Sequence, residues 1–357
     1  MRLPVMPPVS PMLAAPGGDA IPVGAPGEFA YEPKWDGFRA LVFRDGHDVV
    51  VQGRSGDDLA YAFPEVVAAA REALPERIVL DGELVIVSGS TLDFEALGAR
   101  LRPRSEEGKA SIRRLSEDTP ARYVAFDLLA LGDESLLDRP MSERRAALTA
   151  NLDALHPTFS VTPATEDVAL AADWFNRFEG GGLDGLIVKA LAAPYAPGKR
   201  ALRKVKHQRT IDAVVAGWRP HASSPEQVGS LLLGLYDGHE RLHHIGVCSG
   251  FSARRRAEMY ADIAEFTLPD DAPHPWRDAP EGLRIPGAIN RWSKGRASDW
   301  RALRPELVAE VAYDQFEGDR LRHVASWQRW RPDRTPESCT FDQVARPAPF
   351  DIRTVLR

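Results

Sequence analysis

Residues 29–44 read as a strand, a bend at Asp36-Gly37, and a second apolar run through Leu41, Val42 and Phe43. Phe63, Val66, Val67, Ala70 and Leu74 recur at helical spacing and are followed by Pro75, which predicts an amphipathic helix ending there. Val79 to Val87 predicts a buried strand, yet Asp81-Gly82-Glu83 interrupts it. Acids inside so apolar a strand need a reason, because an unpaired buried carboxylate is costly. Val124 to Leu131 is a further apolar run containing Asp127, and Ser142 is placed to cap a helix with Leu148, Leu152 and Leu155 on its apolar face. Another helix is predicted from about Thr165 to the stop at Gly180-Gly181-Gly182, followed by the strand-like Leu183 to Lys189.

From about residue 211 the texture changes. Ile211 to Trp218, Leu231 to Tyr236, Leu242 to Phe251 and Leu307 to Phe316 are short strand candidates, with one helix candidate near 253–266. Short strands with a single helix predict a small barrel. The expected boundary therefore falls near 208–212, giving domains at 1–209 and 210–357, which agrees with the two domains that 357 residues suggest.

Composition changes this picture little. Hydrophobic content of 44% and charged content of 27% are ordinary for a globular chain with ample core. No run of about 18 apolar residues is present, so no membrane-spanning helix is expected. Prolines break up the N-terminal apolar residues too early for a secretory signal, so a cytoplasmic location is expected. Cys248 and Cys339 are too few for a disulfide framework or a four-cysteine zinc site. A net charge of −6 means that any phosphate-binding face must be local. Local basic runs do occur: Arg100, Arg102, Arg104, Lys109, Arg113 and Arg114; the stretch 199–209 with Lys204 and Lys206; Arg254 to Arg256; and Arg291, Lys294, Arg296 and Arg301. Solvated faces account for such runs equally well.

Each chemical candidate has a plain reading when taken alone. Lys34 beside the Asp36-Gly37 bend is a common pattern for a solvated lysine, and Asp81-Gly82-Glu83 reads equally as a bulge with salt bridges. Asp127 reads as a buried structural carboxylate, Phe126 as core, and Lys204 with Lys206 as a charged strand edge. Their order along the chain is more telling. Lys34-Trp-Asp-Gly-Phe-Arg39, Arg54-Ser55, Asp81-Gly82-Glu83, Phe126-Asp127-Leu128-Leu129, Asp184-Gly-Leu-Ile-Val-Lys189, Lys204-Val-Lys206 and His323 to Arg334 follow one another over most of the chain. In that set and order the chain resembles an ATP-dependent DNA ligase of the covalent nucleotidyltransferase superfamily, most like the small two-domain bacterial form.

The resemblance implies an α+β fold: a nucleotidyltransferase catalytic domain of ATP-grasp-like ligase type, then an OB-fold β-barrel. It implies that Lys34 attacks the α-phosphorus of ATP to form lysyl-AMP, with Lys204, Lys206 and Lys189 neutralising charge on the phosphate and lowering the pKa of Lys34. Glu32 is expected to accept from the adenine amino group, Phe126 to stack on the base, and Arg39 and Arg54 to contact ribose and phosphates. Glu83 and Asp184 are expected to hold Mg²⁺ or the ribose, with Mn²⁺ as the other cation such oxygens accept. Arg331 and Arg334 are the basic residues of the C-terminal motif. The implied partner is nicked double-stranded DNA, with the chain acting as a monomer and with a repair or replication role. Two positions depart from the wider pattern: Asp184 stands where Glu is usual, and Arg334 where Lys is common. Rival readings on the same residues are an RNA-sealing ligase, a capping-type nucleotidyltransferase, and a nick-binding clamp without catalysis. NAD-dependent ligases share the Lys-x-Asp-Gly core but carry a cysteine zinc finger that two cysteines cannot build.

Overall fold

The acid-interrupted strand at the centre of the N-terminal region runs from Arg77 to Ser88 and organises a seven-stranded sheet. The structure, a computed structural model, describes all residues except 103, 153–155, 280–281, 288–299, 345 and 357. Leu155, Arg291, Lys294 and Arg296 thus lie outside the described residues. The chain forms two compact units, one of residues 1–207 with 346–357 and one of residues 208–345.

In the first unit, Arg77–Ser88 pairs with Phe38–Asp45 on one side and Ala121–Leu131 on the other. Both faces of this sheet are covered, as period-two alternation requires when neighbouring residues are equally apolar. Ala40, Val42, Ile78 and Leu80 pack into a core with Val66 and Ala70 of the helix Pro64–Ala73 and Leu148 of the helix Met141–Leu152. Leu41, Phe43 and Val79 join the opposite core with Leu129, Tyr195 and Leu202. Asp81 and Glu83 share the parity of Val79, so the acids belong to the face turned toward the smaller sheet. That sheet has four strands in the order Ala14–Pro16, Leu202–Val205, Leu186–Ala190 and Phe29–Pro33.

A bulge does lie beside the acids, but on the partner strand Ala121–Leu131. Asp81 pairs with Asp127 and Gly82 with Ala125, so Phe126 is the extra residue on the partner strand. Bulges re-aim a side chain and interrupt a ladder, commonly beside active sites. Ser142 lies inside the helix Met141–Leu152 rather than capping it, because Pro140 already sets the helix start.

In the second unit, Arg209–His221, Ser224–Tyr236, Leu242–Ser249, Ala325–Trp330 and Arg301–Tyr313 close into a barrel in that order. The helix Ala253–Ile263 lies between its third and fourth strands in sequence, as expected for an OB-type barrel. Arg209–His221 and Ser224–Tyr236 outrun the apolar runs that predicted them, since barrel strands need hydrophobic residues only on the inward face, whereas Leu242–Ser249 stops short of Phe251. Cys248 and Cys339 are buried and free.

One boundary differs from expectation. Residues 346–357 were assigned to the second domain, but they pack on the first unit. Ile352 and Leu356 are buried there with Trp35, Val85, Val124, Phe178 and Leu183. Among the described residues no helix is long and apolar enough to cross a membrane.

Candidate active site

Lys34 leaves the strand Phe29–Pro33 at the point where its backbone is tied to a second segment. Its N–H donates to the Gly185 carbonyl at 2.8 Å, and the Asp184 N–H donates to the Lys34 carbonyl at 3.0 Å. This places a carboxylate next to the lysine. Lys34 Nζ lies 2.7 Å from Asp184 Oδ2, and Lys206 Nζ lies 2.6 Å from the same oxygen. Gly37 lets the turn close, because a Cβ there would collide with the Leu84 carbonyl. The Gly37 N–H donates to Glu83 Oε1 at 3.2 Å.

Register explains the rest of the cleft. Ile187 pairs with Glu32 on one side and with Lys204 on the other, so Glu32, Ile187 and Lys204 form one row across the smaller sheet. Lys189 and Lys206 lie two residues along from members of that row and share its face. The cleft between the sheets is lined by Glu32, Lys34, Arg39, Arg54, Glu83, Phe126, Lys189 and Lys204. All eight were expected site residues. Arg200, Ile187 and Leu202 also line it and were not singled out, although Arg200 lies in the basic run around Lys204.

The two ends of the cleft differ in chemistry. At one end, Glu32 is buried, with Oε2 2.9 Å from Lys189 Nζ. Its Oε1 is buried without a hydrogen-bond partner. Burial pushes the Glu32 carboxyl upward, while Lys189 and Arg145 pull it down. Lys189 also donates to the Phe126 carbonyl at 2.7 Å. Its ammonium therefore bridges Glu32 and the Phe126 carbonyl. The ring of Phe126 has the Arg39 guanidinium 4.5 Å from its centroid, and Arg39 is held by Asp81 through Nε at 2.6 Å and Nη2 at 2.5 Å. Arg39 is thus clamped between a ring and a carboxylate on the cleft wall. Tyr195 donates to the same Asp81 at 2.6 Å. Arg54 is exposed at the cleft rim.

At the other end the cations gather. Burial, Lys206 and Lys34 lower the pKa of Lys204, which makes no ion pair among the described residues. The expected lowering of Lys34 is not found: burial opposes its charge, but Asp184 outweighs this and the pKa lies above the ordinary lysine value. Asp184 itself is held low: burial raises it, and Lys34 and Lys206 more than offset that. Burial pushes Glu83 up to about 7 against the pull of Arg39 and Lys34. No group of three or more His, Cys, Asp or Glu placed to hold a metal occurs among the described residues.

Arg331 and Arg334 belong to the second unit. Arg331 Nη1 reaches both oxygens of Asp212 at 2.8 and 3.0 Å, and Arg334 Nε lies 3.3 Å from Asp212 Oδ2. Among the basic runs, Arg100 is buried and paired with Glu65, so it is structural, whereas Arg102, Arg113 and Arg114 are exposed. Arg254 and Arg255 pair with Glu258 at 2.6 and 3.2 Å.

A lysine-lined cleft between two sheets, in a chain that goes on to form a closed five-stranded barrel, fits the nucleotidyltransferase class. Residues 11–206 match the ATP dependent DNA ligase domain and residues 224–334 match the ATP dependent DNA ligase C terminal region. The chain belongs to the ATP-dependent DNA ligase family. It is 48% identical to DNA ligase C2 of Mycolicibacterium smegmatis over 97% of each chain. It is 46% identical to DNA ligase C of Mycobacterium tuberculosis over 100% of this chain and 99% of that one. A solved structure from work on Lig E DNA ligases shares the fold, with a TM-score of 0.52 and 19% identity over 90% of this chain and 99% of that one.

Proposed function

We propose that this ATP-dependent DNA ligase works through covalent adenylation of Lys34, followed by transfer of AMP to the 5′-phosphate of a DNA nick and attack by the 3′-hydroxyl. The observation that carries this reading is the position of Lys34 Nζ, 2.7 Å from Asp184, in the same cleft as a buried Glu32 oxygen that lacks a donor. An adenine amino group supplies that donor, and Phe126 offers its ring to the base. Lys204 and Lys206 stand where negative charge develops on the α-phosphate, which is how phosphoryl transfer is accelerated.

Asp184 is what keeps Lys34 charged in the nucleotide-free protein. Burial favours the neutral amine that attacks, while Asp184, and with it Glu83 and Asp36, favour the charged form. The lysine nitrogen then forms a bond to the α-phosphorus as the bond to pyrophosphate breaks. Glu83 would fit a divalent cation, because its buried carboxylate offers hard oxygen donors and burial outweighs the pull of Arg39 and Lys34 on it. Asp184 is the second oxygen donor, once the two ammonium groups on its Oδ2 give way. Glu83 and Asp184 would hold Mg²⁺, or Mn²⁺ by the same oxygen chemistry, and the cation would supply charge neutralisation at the phosphates. Arg54 at the rim is our candidate for ribose or phosphate, and Arg331 and Arg334 are our candidates for the leaving pyrophosphate. We further place the enzyme in the cytoplasm as a monomer acting on nicked duplex DNA in repair or replication.

Incubation of the wild-type chain with ATP labelled in the α-phosphate and Mg²⁺ is expected to give a covalent, acid-labile adduct that is discharged by nicked duplex DNA. A chain that stays unlabelled defeats the proposal. Nick affinity is expected to fall steeply with salt while self-adenylation falls much less, because counterion release accompanies only polyanion binding. Equal salt slopes in titrations of the two steps would count against separate DNA and ATP contacts.

A further inference from the structure

Arg145 lies on the helix Met141–Leu152, outside all the motifs that carry the family resemblance, yet it reaches the base end of the cleft. Its Nη1 is 3.5 Å from Glu32 Oε1, and both atoms are buried without a hydrogen-bond partner. Its Nη2 donates to the Thr162 carbonyl. Thr162 is buried and doubly fixed, since its N–H donates to the Ala125 carbonyl at 2.9 Å and its Oγ1 accepts from Trp35 Nε1 at 2.8 Å. The guanidinium is therefore anchored from behind by a rigid carbonyl, while Lys189 holds the other oxygen of the same carboxylate. The anchor itself is tied to the residue next to Lys34.

We propose that Arg145 is a positioning residue for nucleotide selection: it holds Glu32 ionised and keeps Oε1 turned to the base as a pure acceptor. The proposal rests on the reading of Glu32 as the group that meets the nucleobase. Its chemistry follows from the two forms of a carboxyl group. An ionised carboxylate only accepts, which suits the 6-amino group of adenine, whereas a protonated one offers an O–H donor, which suits the 6-oxo group of a hypoxanthine or guanine base. Burial favours the protonated form, and Arg145 is one of two cations that oppose it. A site built around one hydrogen-bonding polarity rejects the opposite one strongly, because the buried group is left unpaired.

The test is the ratio of kcat/KM for self-adenylation with ATP to that for inosinylation with inosine triphosphate, measured on the same preparation so that the folded fraction cancels. In Arg145→Met the ratio is expected to fall about tenfold or more, mainly through a higher KM for ATP with kcat retained. Arg145→Lys is expected to restore part of it. Arg145→Gln keeps a donor for Thr162 but carries no charge. It is expected to lose selectivity and serves if the methionine variant does not fold. A ratio within about twofold of wild type in the uncharged variants overturns the proposal. Wild-type chain that labels with both nucleotides equally overturns the Glu32 reading together with this one. Wild-type chain that does not label at all overturns the Lys34 reading instead.

Discussion

Lys34→Ala is expected to form no covalent adenylate and to lose nick sealing by a factor on the order of 10⁴ or more, as removal of a nucleophile generally does. The fold is expected to survive, because the bonds that place residue 34 come from its backbone: its N–H to the Gly185 carbonyl and its carbonyl from the Asp184 N–H. Asp184 also keeps Lys206 as a partner, so no carboxylate is stranded. The informative comparison is a nick that already carries AMP on its 5′-phosphate. Joining such a nick requires attack by the 3′-hydroxyl but no lysine nucleophile, so the variant is expected to retain that step while losing the first. Loss of both steps with an unchanged melting temperature would mean that Lys34 acts as a cation throughout. In the wild-type chain the first step is expected to quicken from about pH 6 to about pH 9, since Asp184 holds the lysine above its ordinary value and only the neutral amine reacts. A rate that is flat over that range would show that nucleotide binding frees the lysine before chemistry.

How much of this was legible in the sequence depends on the range of each interaction. Strand identities and the barrel follow from apolar spacing, which is local. The acids at 81 and 83 were visible as a violation of that spacing, and the violation marks the cleft. What they do inside it was not visible. Asp81 spends itself on Arg39 and Tyr195, while Glu83 stays short of positive charge. Lys189 reads like the other lysines in sequence, but the sheet face it shares with Glu32 brings it onto that carboxylate, and only the pairing of Leu186–Ala190 with Phe29–Pro33 shows this. The sign of the Lys34 shift was missed because counting cations ignores the carboxylate that a backbone tie brings to 2.7 Å. Arg145 carries no local signal, since its partners lie 113 residues upstream and 17 downstream.

Removing residues 346–357 is expected to destabilise the catalytic unit and slow self-adenylation, even though none of the described residues among them lines the cleft. The chain leaves the first unit after His207 and returns to it at Arg346, so the barrel is connected at both ends. The return is specific. A Cβ on Gly180 would collide with the Ala348 carbonyl, and the Ile352 N–H donates to the Ser90 carbonyl at 2.9 Å. Ile352 is fully buried and Leu356 nearly so, beside Trp35. Emptying one such site costs about 2–5 kcal/mol, and a buried aspartate in place of the isoleucine costs at least as much. At about 2–4 °C per kcal/mol for a unit of this size, Ile352→Asp is expected to lower Tm by roughly ten degrees. Gly180→Ala adds one methyl group on the receiving side and is expected to expose the segment to limited proteolysis. Because Trp35 packs on this segment and precedes the turn that follows Lys34, the rate of adenylation is expected to fall in both variants while ATP affinity changes little. Unchanged melting and unchanged protease resistance in Ile352→Asp would show that the segment does not hold the first unit together.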